Sequence, residues 1–139
     1  MNPFLSLHEY EEFIYTLTER YGSIQSSTLV LVRRGALQAT VSGILTFVNG
    51  DQLVIRERLT AEHGPLTIER YSYECWRYGD LLYWYDSQAH PDNPALASTH
   101  PHHKHVPPDI KHNRIPAPGL SFAQPNLPFL IAEIEQLPA

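Results

Sequence analysis

The chain has 139 residues, 42% of them hydrophobic and 18% charged, which suits one domain around one core. Its formal charge of −5 at pH 7 argues against a generic nucleic-acid coat, since phosphate binding needs local positive charge. No apolar run approaches the roughly 20 residues that cross a bilayer, no basic stretch leads into an apolar one at the N-terminus, and the lone Cys75 excludes an internal disulfide. A protein of a reducing, cytoplasmic compartment is expected, with no membrane association.

Ser6-Leu7-His8-Glu9 reads as a capping box, with Leu5 and Tyr10 spaced for a hydrophobic staple. Tyr10, Phe13, Ile14, Leu17 and Tyr21 continue at helical spacing, so a first helix is expected over about residues 7 to 21, stopped by Gly22. The middle is rich in β formers: 28–32, then a turn at Arg34-Gly35, then 37–48. Asn49-Gly50 is a strong hairpin signal, and 53–59 returns from it. His63-Gly64-Pro65 breaks the chain, 66–76 is a fourth strand, and Tyr78-Gly79-Asp80 turns into 81–86. Strands joined by short turns predict an antiparallel meander of about five strands. From Ser87 to Pro125 the composition shifts to Pro, His, Asn, Ala and Ser and reads as irregular or extended. Asn126 is placed to cap a last helix carrying Leu127, Leu130, Ile131, Ile134 and Leu137 as its apolar stripe. The fold class is therefore α+β, a single domain over 1–139 with an N-terminal helix, the meander, a His-rich extended segment and a C-terminal helix.

That segment, His100-Pro101-His102-His103-Lys104-His105, holds four imidazoles and an ammonium in six positions, bracketed by Pro101 and Pro107-Pro108. Histidine both takes and gives a proton near neutral pH. Cleavage of RNA through its 2′-OH needs a general base, a general acid for the leaving 5′ oxygen and a cation for the phosphorane, and two His with a Lys supply all three without a metal. In an extended chain His103 and His105 share one face, and His102 and Lys104 the other. His-x-His also presents two imidazoles to a metal, with Glu57, Asp86 or His90 as a third ligand, although the spacing matches no common zinc signature. A solvated polar loop is the plainest alternative.

Leu53, Ile55, Glu57 and Leu59 share one face of the third strand, and Val54, Arg56 and Arg58 the other. Glu57 thus projects from the more apolar side, where a carboxylate must be paired or protonated. Tyr71 with Tyr73, and Tyr83 with Tyr85, fall on neighbouring strands and offer either a platform for stacked bases or ordinary cross-strand packing. Asp86 ends its strand just before the histidines and is placed to orient an imidazole. Six of the eight arginines, Arg33, Arg34, Arg56, Arg58, Arg70 and Arg77, lie in the strand-rich middle, so an acidic chain still has the means for one basic cleft. Cys75 sits beside Trp76 without a nucleophile motif and is expected to be buried; no glycine pattern supports a nucleotide cofactor.

Arg70-Tyr71-Ser72-Tyr73, then Tyr85-Asp86, His90-Pro91 and Pro101-His102-His103-Lys104-His105, resembles in order the TumE-like toxin family of bacterial toxin–antitoxin modules, over roughly residues 28 to 136. Trp84 stands where that family tends to have Arg, Ser87 where it has Asn, and His90 is single where it often has a pair. The resemblance implies a small toxin with a cognate antitoxin protein as partner and RNA as substrate. A sheet flanked by helices also looks like the compact RelE-like or barnase-like ribonucleases.

Taken together, these readings lead to a toxin of a type II system acting as an endoribonuclease without a metal cofactor. The catalytic candidates are His102, His103, Lys104, His105, Glu57 and Asp86, and the substrate-binding candidates Arg56, Arg58, Arg70, Tyr71, Tyr73, Tyr85 and His90. A toxin or regulator that binds without chemistry, and a metal-dependent nuclease or hydrolase, are the alternatives; a homo-oligomer is left open.

Overall fold

The computed structural model describes residues 2–87 and 102–138. Eight strands make one antiparallel sheet, covered on one face by helices, which is the expected α+β class. In chain order the elements are α1 (Leu7–Tyr15), α2 (Leu17–Arg20), β1 (Ile24–Ser27), β2 (Val30–Arg33), β3 (Gln38–Phe47), β4 (Gln52–Thr60), β5 (Thr67–Arg77), β6 (Asp80–Asp86), β7 (His103–His105), β8 (Arg114–Pro116) and α3 (Leu127–Glu135). The sheet runs β1-β3-β4-β5-β6-β7-β8, with β2 also paired to β3. The expected five-strand meander is β2 to β6, and the histidine block itself adds β7.

The N-terminus follows its sequence with two differences. Ser6 caps α1 by accepting from the Glu9 amide at 3.1 Å. Phe4 rather than Leu5 packs on Tyr10, edge to face at 4.9 Å, and leaves Leu5 exposed. The single expected helix is broken at Thr16, whose hydroxyl donates back to the Glu12 carbonyl at 2.7 Å, a side-chain bond that bends helices.

The expected strand at 28–32 forms as β2, and β1 is an additional strand ahead of it; both pair with β3. The two follow one register along the same edge of β3 and are separated at Thr28-Leu29, where Thr28 bonds both backbone groups of Ile44. Gly43 permits the close approach of the two chains there, since at φ +144° a Cβ would stand 2.6 Å from the Thr28 carbonyl oxygen. At the β3–β4 turn, Arg77 of β5 clamps the buried Asp51 through two bonds of 2.8 and 2.9 Å. The guanidinium holds the Asp51 carboxyl below its usual range. The unfolded chain therefore takes up that proton more readily, so the stabilisation is complete above the ordinary Asp pKa of about 3.9 and is lost as pH falls through the depressed native value. Asp51→Asn is expected to melt below the parent protein at pH 7, with the gap closing below about pH 4; a constant gap would show that the carboxylate's charge is irrelevant.

The core lies between the helices and one sheet face. On β4, Leu53, Ile55, Glu57 and Leu59 are buried while Arg56 and Arg58 are exposed, the expected alternation. Helix α3 buries Leu127, Leu130, Ile131 and Ile134. Asn126 does not cap it as expected; its buried amide instead donates to the Tyr73 hydroxyl and the Ser121 carbonyl, tying the preceding loop to the sheet. No helix among the described residues is long and apolar enough to cross a membrane.

Candidate active site

Because β7 is extended, alternate residues of the histidine block go to opposite sides of the sheet. On the helix-covered side, His102 Nδ1 lies 2.6 Å from the Tyr71 hydroxyl, and its ring packs between Tyr71 and Phe122. Lys104 Nζ is 3.0 Å from Glu133 of α3 and lies over the rings of Tyr83 and Tyr85. On the opposite side, His103 and His105 converge on Asp86, which β6 places across from His103.

In that second group His103 Nε2 is 2.5 Å from Asp86 Oδ1, and His105 Nε2 is 3.4 Å from Asp86 Oδ2. The imidazole centroids are 5.0 Å apart at 69°. All three residues are buried. Trp84 stacks on His105 at 4.2 Å and donates its indole N–H to Ser72 at 3.1 Å, so the departure from arginine at this position gives the imidazole an aromatic wall. His105 Nδ1 lies 2.9 Å from the Ile110 carbonyl, which only an N–H can satisfy. Burial pulls the His105 pKa below its ordinary value, against the opposing pull of Asp86, and thereby favours the neutral ring. In that form Nε2 carries the lone pair and faces Asp86.

Arg114 sits directly opposite His105 across β7 and β8. Its buried Nε and Nη1 have no hydrogen-bond partner among the described residues. Neither the motif nor the charge pattern singles it out, because only the β7–β8 pairing brings it beside His105.

From this centre a cross-strand row runs Asp86–Ser72–Arg56 on the same face of the sheet. With strands about 4.8 Å apart, Arg56 stands about 10 Å from Asp86. Arg34, Arg56, Arg58 and Arg70 line a cavity of about 660 Å³ floored by β3, β4 and β5, and Ser72 lies on its rim. Arg58 is 3.6 Å from Glu69; no described carboxylate pairs with Arg34, Arg56 or Arg70. An acidic chain thus carries one concentrated basic surface, next to its His–Asp centre.

The other sequence candidates lie elsewhere. Glu57 is on the helix-covered side, where it accepts from Tyr10 and Tyr73, each at 2.5 Å, so two phenols and not an arginine satisfy it. Burial raises its carboxyl above the usual range, opposed by those two bonds. Tyr71, Tyr73 and Tyr85 are buried on the same side with their hydroxyls on His102, Glu57 and Glu133, and present no ring for a base to stack on. Lys104 is on the opposite face of the sheet from His103 and His105, and His90 lies outside the described residues. Arg77 is bound to Asp51 at the β3–β4 turn, away from the His–Asp centre. Cys75 is buried, and desolvation pushes its thiol up to about 11, which makes it a packing residue and not a nucleophile.

The sequence model of the family described as Toxin TumE matches residues 14–138, nearly the whole chain. No curated protein and no solved structure matches it.

Proposed function

The chain belongs to the TumE toxin family, and from that premise we infer that it is a toxin that cuts RNA, held in check by a cognate antitoxin protein. The observation that carries the reading is the register of Arg56, Ser72, Asp86 and His103 across four strands, which sets a His–His–Asp centre at the end of an arginine-lined face. Single-stranded RNA binds through its phosphates, and guanidiniums on a sheet surface with no carboxylate partner among the described residues, as at Arg34, Arg56 and Arg70, suit that contact. Arg56 and Arg70 hold the backbone, with Arg34 and Arg58 beside them. The scissile phosphate lies toward Asp86, where His103 and His105 serve the reaction and Arg114 supplies the positive charge that Lys104, engaged with Glu133, does not. An acidic segment of an antitoxin laid on the same arginines would block the RNA path.

Purified protein incubated with total bacterial RNA and with ribosomes, in the presence of Zn²⁺ or Mn²⁺, tests the reading alongside a His103→Ala variant of matched folding. Cleavage by the first and not the second is expected. Equal cleavage by both, or none by either, overturns it. Binding to a non-cleavable 2′-deoxy oligonucleotide tests the arginines separately. The Arg56→Ala/Arg70→Ala pair is expected to weaken binding and to flatten the dependence of log K on log salt by about 0.7 for each phosphate contact removed. An unchanged slope would place the RNA elsewhere.

A further inference from the structure

We propose that Asp86, His103 and His105 bind one divalent transition-metal ion, of the class of Zn²⁺ or Mn²⁺, at the end of the arginine-lined face. One ligand atom from each of the three lies within 4.8 Å of the other two, the compactness a single ion requires. Two imidazole nitrogens and a carboxylate oxygen form a donor set suited to such ions. His105 carries the outer contact typical of a ligating histidine, with Nδ1–H on the Ile110 carbonyl fixing Nε2 as the free nitrogen. That nitrogen is fully buried, 3.4 Å from Asp86, and has no hydrogen bond among the described residues. A divalent cation held between that nitrogen and the Asp86 carboxylate would take up the buried lone pair.

The set is also built on rigid parts. His103 and His105 are held by β7 between two strands, and Asp86 by its pairing with Ser72. The Trp84 ring closes one side of His105. Three protein ligands leave further coordination positions for water or a phosphate oxygen, as in catalytic sites; structural zinc sites are closed by a fourth protein ligand. When bound, the ion would polarise a phosphoryl oxygen or lower the pKa of a water. Its part in RNA cleavage rests on the function proposed above. Its binding does not.

The full-length protein, stripped with chelator and dialysed, is titrated with Zn²⁺ by calorimetry and with Co²⁺ by visible absorption. One ion per chain is expected. Asp86→Asn and His105→Ala should each weaken binding at least tenfold, while His112→Ala, on the exposed β7–β8 turn, should bind as the parent does. X-ray absorption of the Zn²⁺-loaded parent protein gives a readout that needs no variant, and two imidazoles in the first shell are expected. No saturable binding, unaltered binding in both site variants, or fewer than two imidazoles would overturn the site. RNA cleavage is not read here, so a chain that binds Zn²⁺ as described and cuts no RNA overturns the ribonuclease reading alone.

Discussion

His103→Ala is expected to lower RNA cleavage by about two to four orders of magnitude, while Lys104→Ala, one residue along, stays within about tenfold of the parent protein. The difference follows from strand geometry. His103 points to Asp86 on the face that carries Arg56 and Ser72. Lys104 points through the sheet to Glu133 and the rings of Tyr83 and Tyr85. On the function proposed above, loss of His103 removes a group at the scissile phosphate whether it moves a proton or holds an ion. Loss of Lys104 leaves Glu133 without its cation beneath α3 and registers first as lower stability. Rates on total RNA, normalised to the folded fraction by near-UV circular dichroism, decide the matter. A His103→Ala protein within threefold of the parent would remove the centre from the mechanism. A Lys104→Ala protein as inactive as His103→Ala, at matched folding, would show that the face assignment does not govern the chemistry.

The second large effect is on stability. Glu57→Ala is expected to cost about 3–5 kcal/mol, because it strips two buried phenols of their acceptor and opens a void beside them. Tyr10 reaches Glu57 from α1 and Tyr73 from β5, and Asn126 in turn donates to Tyr73, so one carboxylate joins the N-terminal helix, the sheet and the loop before α3. Glu57→Gln keeps one acceptor but turns an amide donor toward the second phenol, and should fall between the parent and Glu57→Ala. Urea denaturation measures all three. Cleavage per folded molecule should be unchanged in Glu57→Gln, since Glu57 is on the far face of the sheet from His103; a loss there at full folding would return Glu57 to the catalytic set. A Glu57→Ala cost under about 1 kcal/mol would mean that the phenols find other partners.

Much of this was legible in the residues. Period-two alternation in 53–59 put Glu57 among Leu53, Ile55 and Leu59 and put Arg56 and Arg58 outside, and the sheet keeps that division. The same rule split His103 and His105 from His102 and Lys104, as β7 does. The order of the Tyr-Ser-Tyr, Tyr-Asp and Pro-His-His-Lys-His segments carried the family, because such strings are local. Less legible were the pairings between segments. The strand at 28–32 was legible but β1 ahead of it was not, since β1 forms only by pairing with the end of β3, distant in the chain. Asn126 had a capping sequence but was drawn to Tyr73 and Ser121, a tertiary competition that local preference does not report.

The sequence by itself determined the alternation of faces, the family and the clustering of histidines, because each depends on neighbours within a few positions. Tertiary structure alone decided which face is covered. Helices α1 and α3 pack over the tyrosines and Glu57, which makes them core, and the arginines are left on the other side. It also chose the partners: Asp86 for His103 and His105, Glu133 for Lys104, and Arg114 beside His105. Those choices follow from strand order and register, which are set by burying the greatest apolar area across segments far apart in the chain, and no window of the sequence contains that sum.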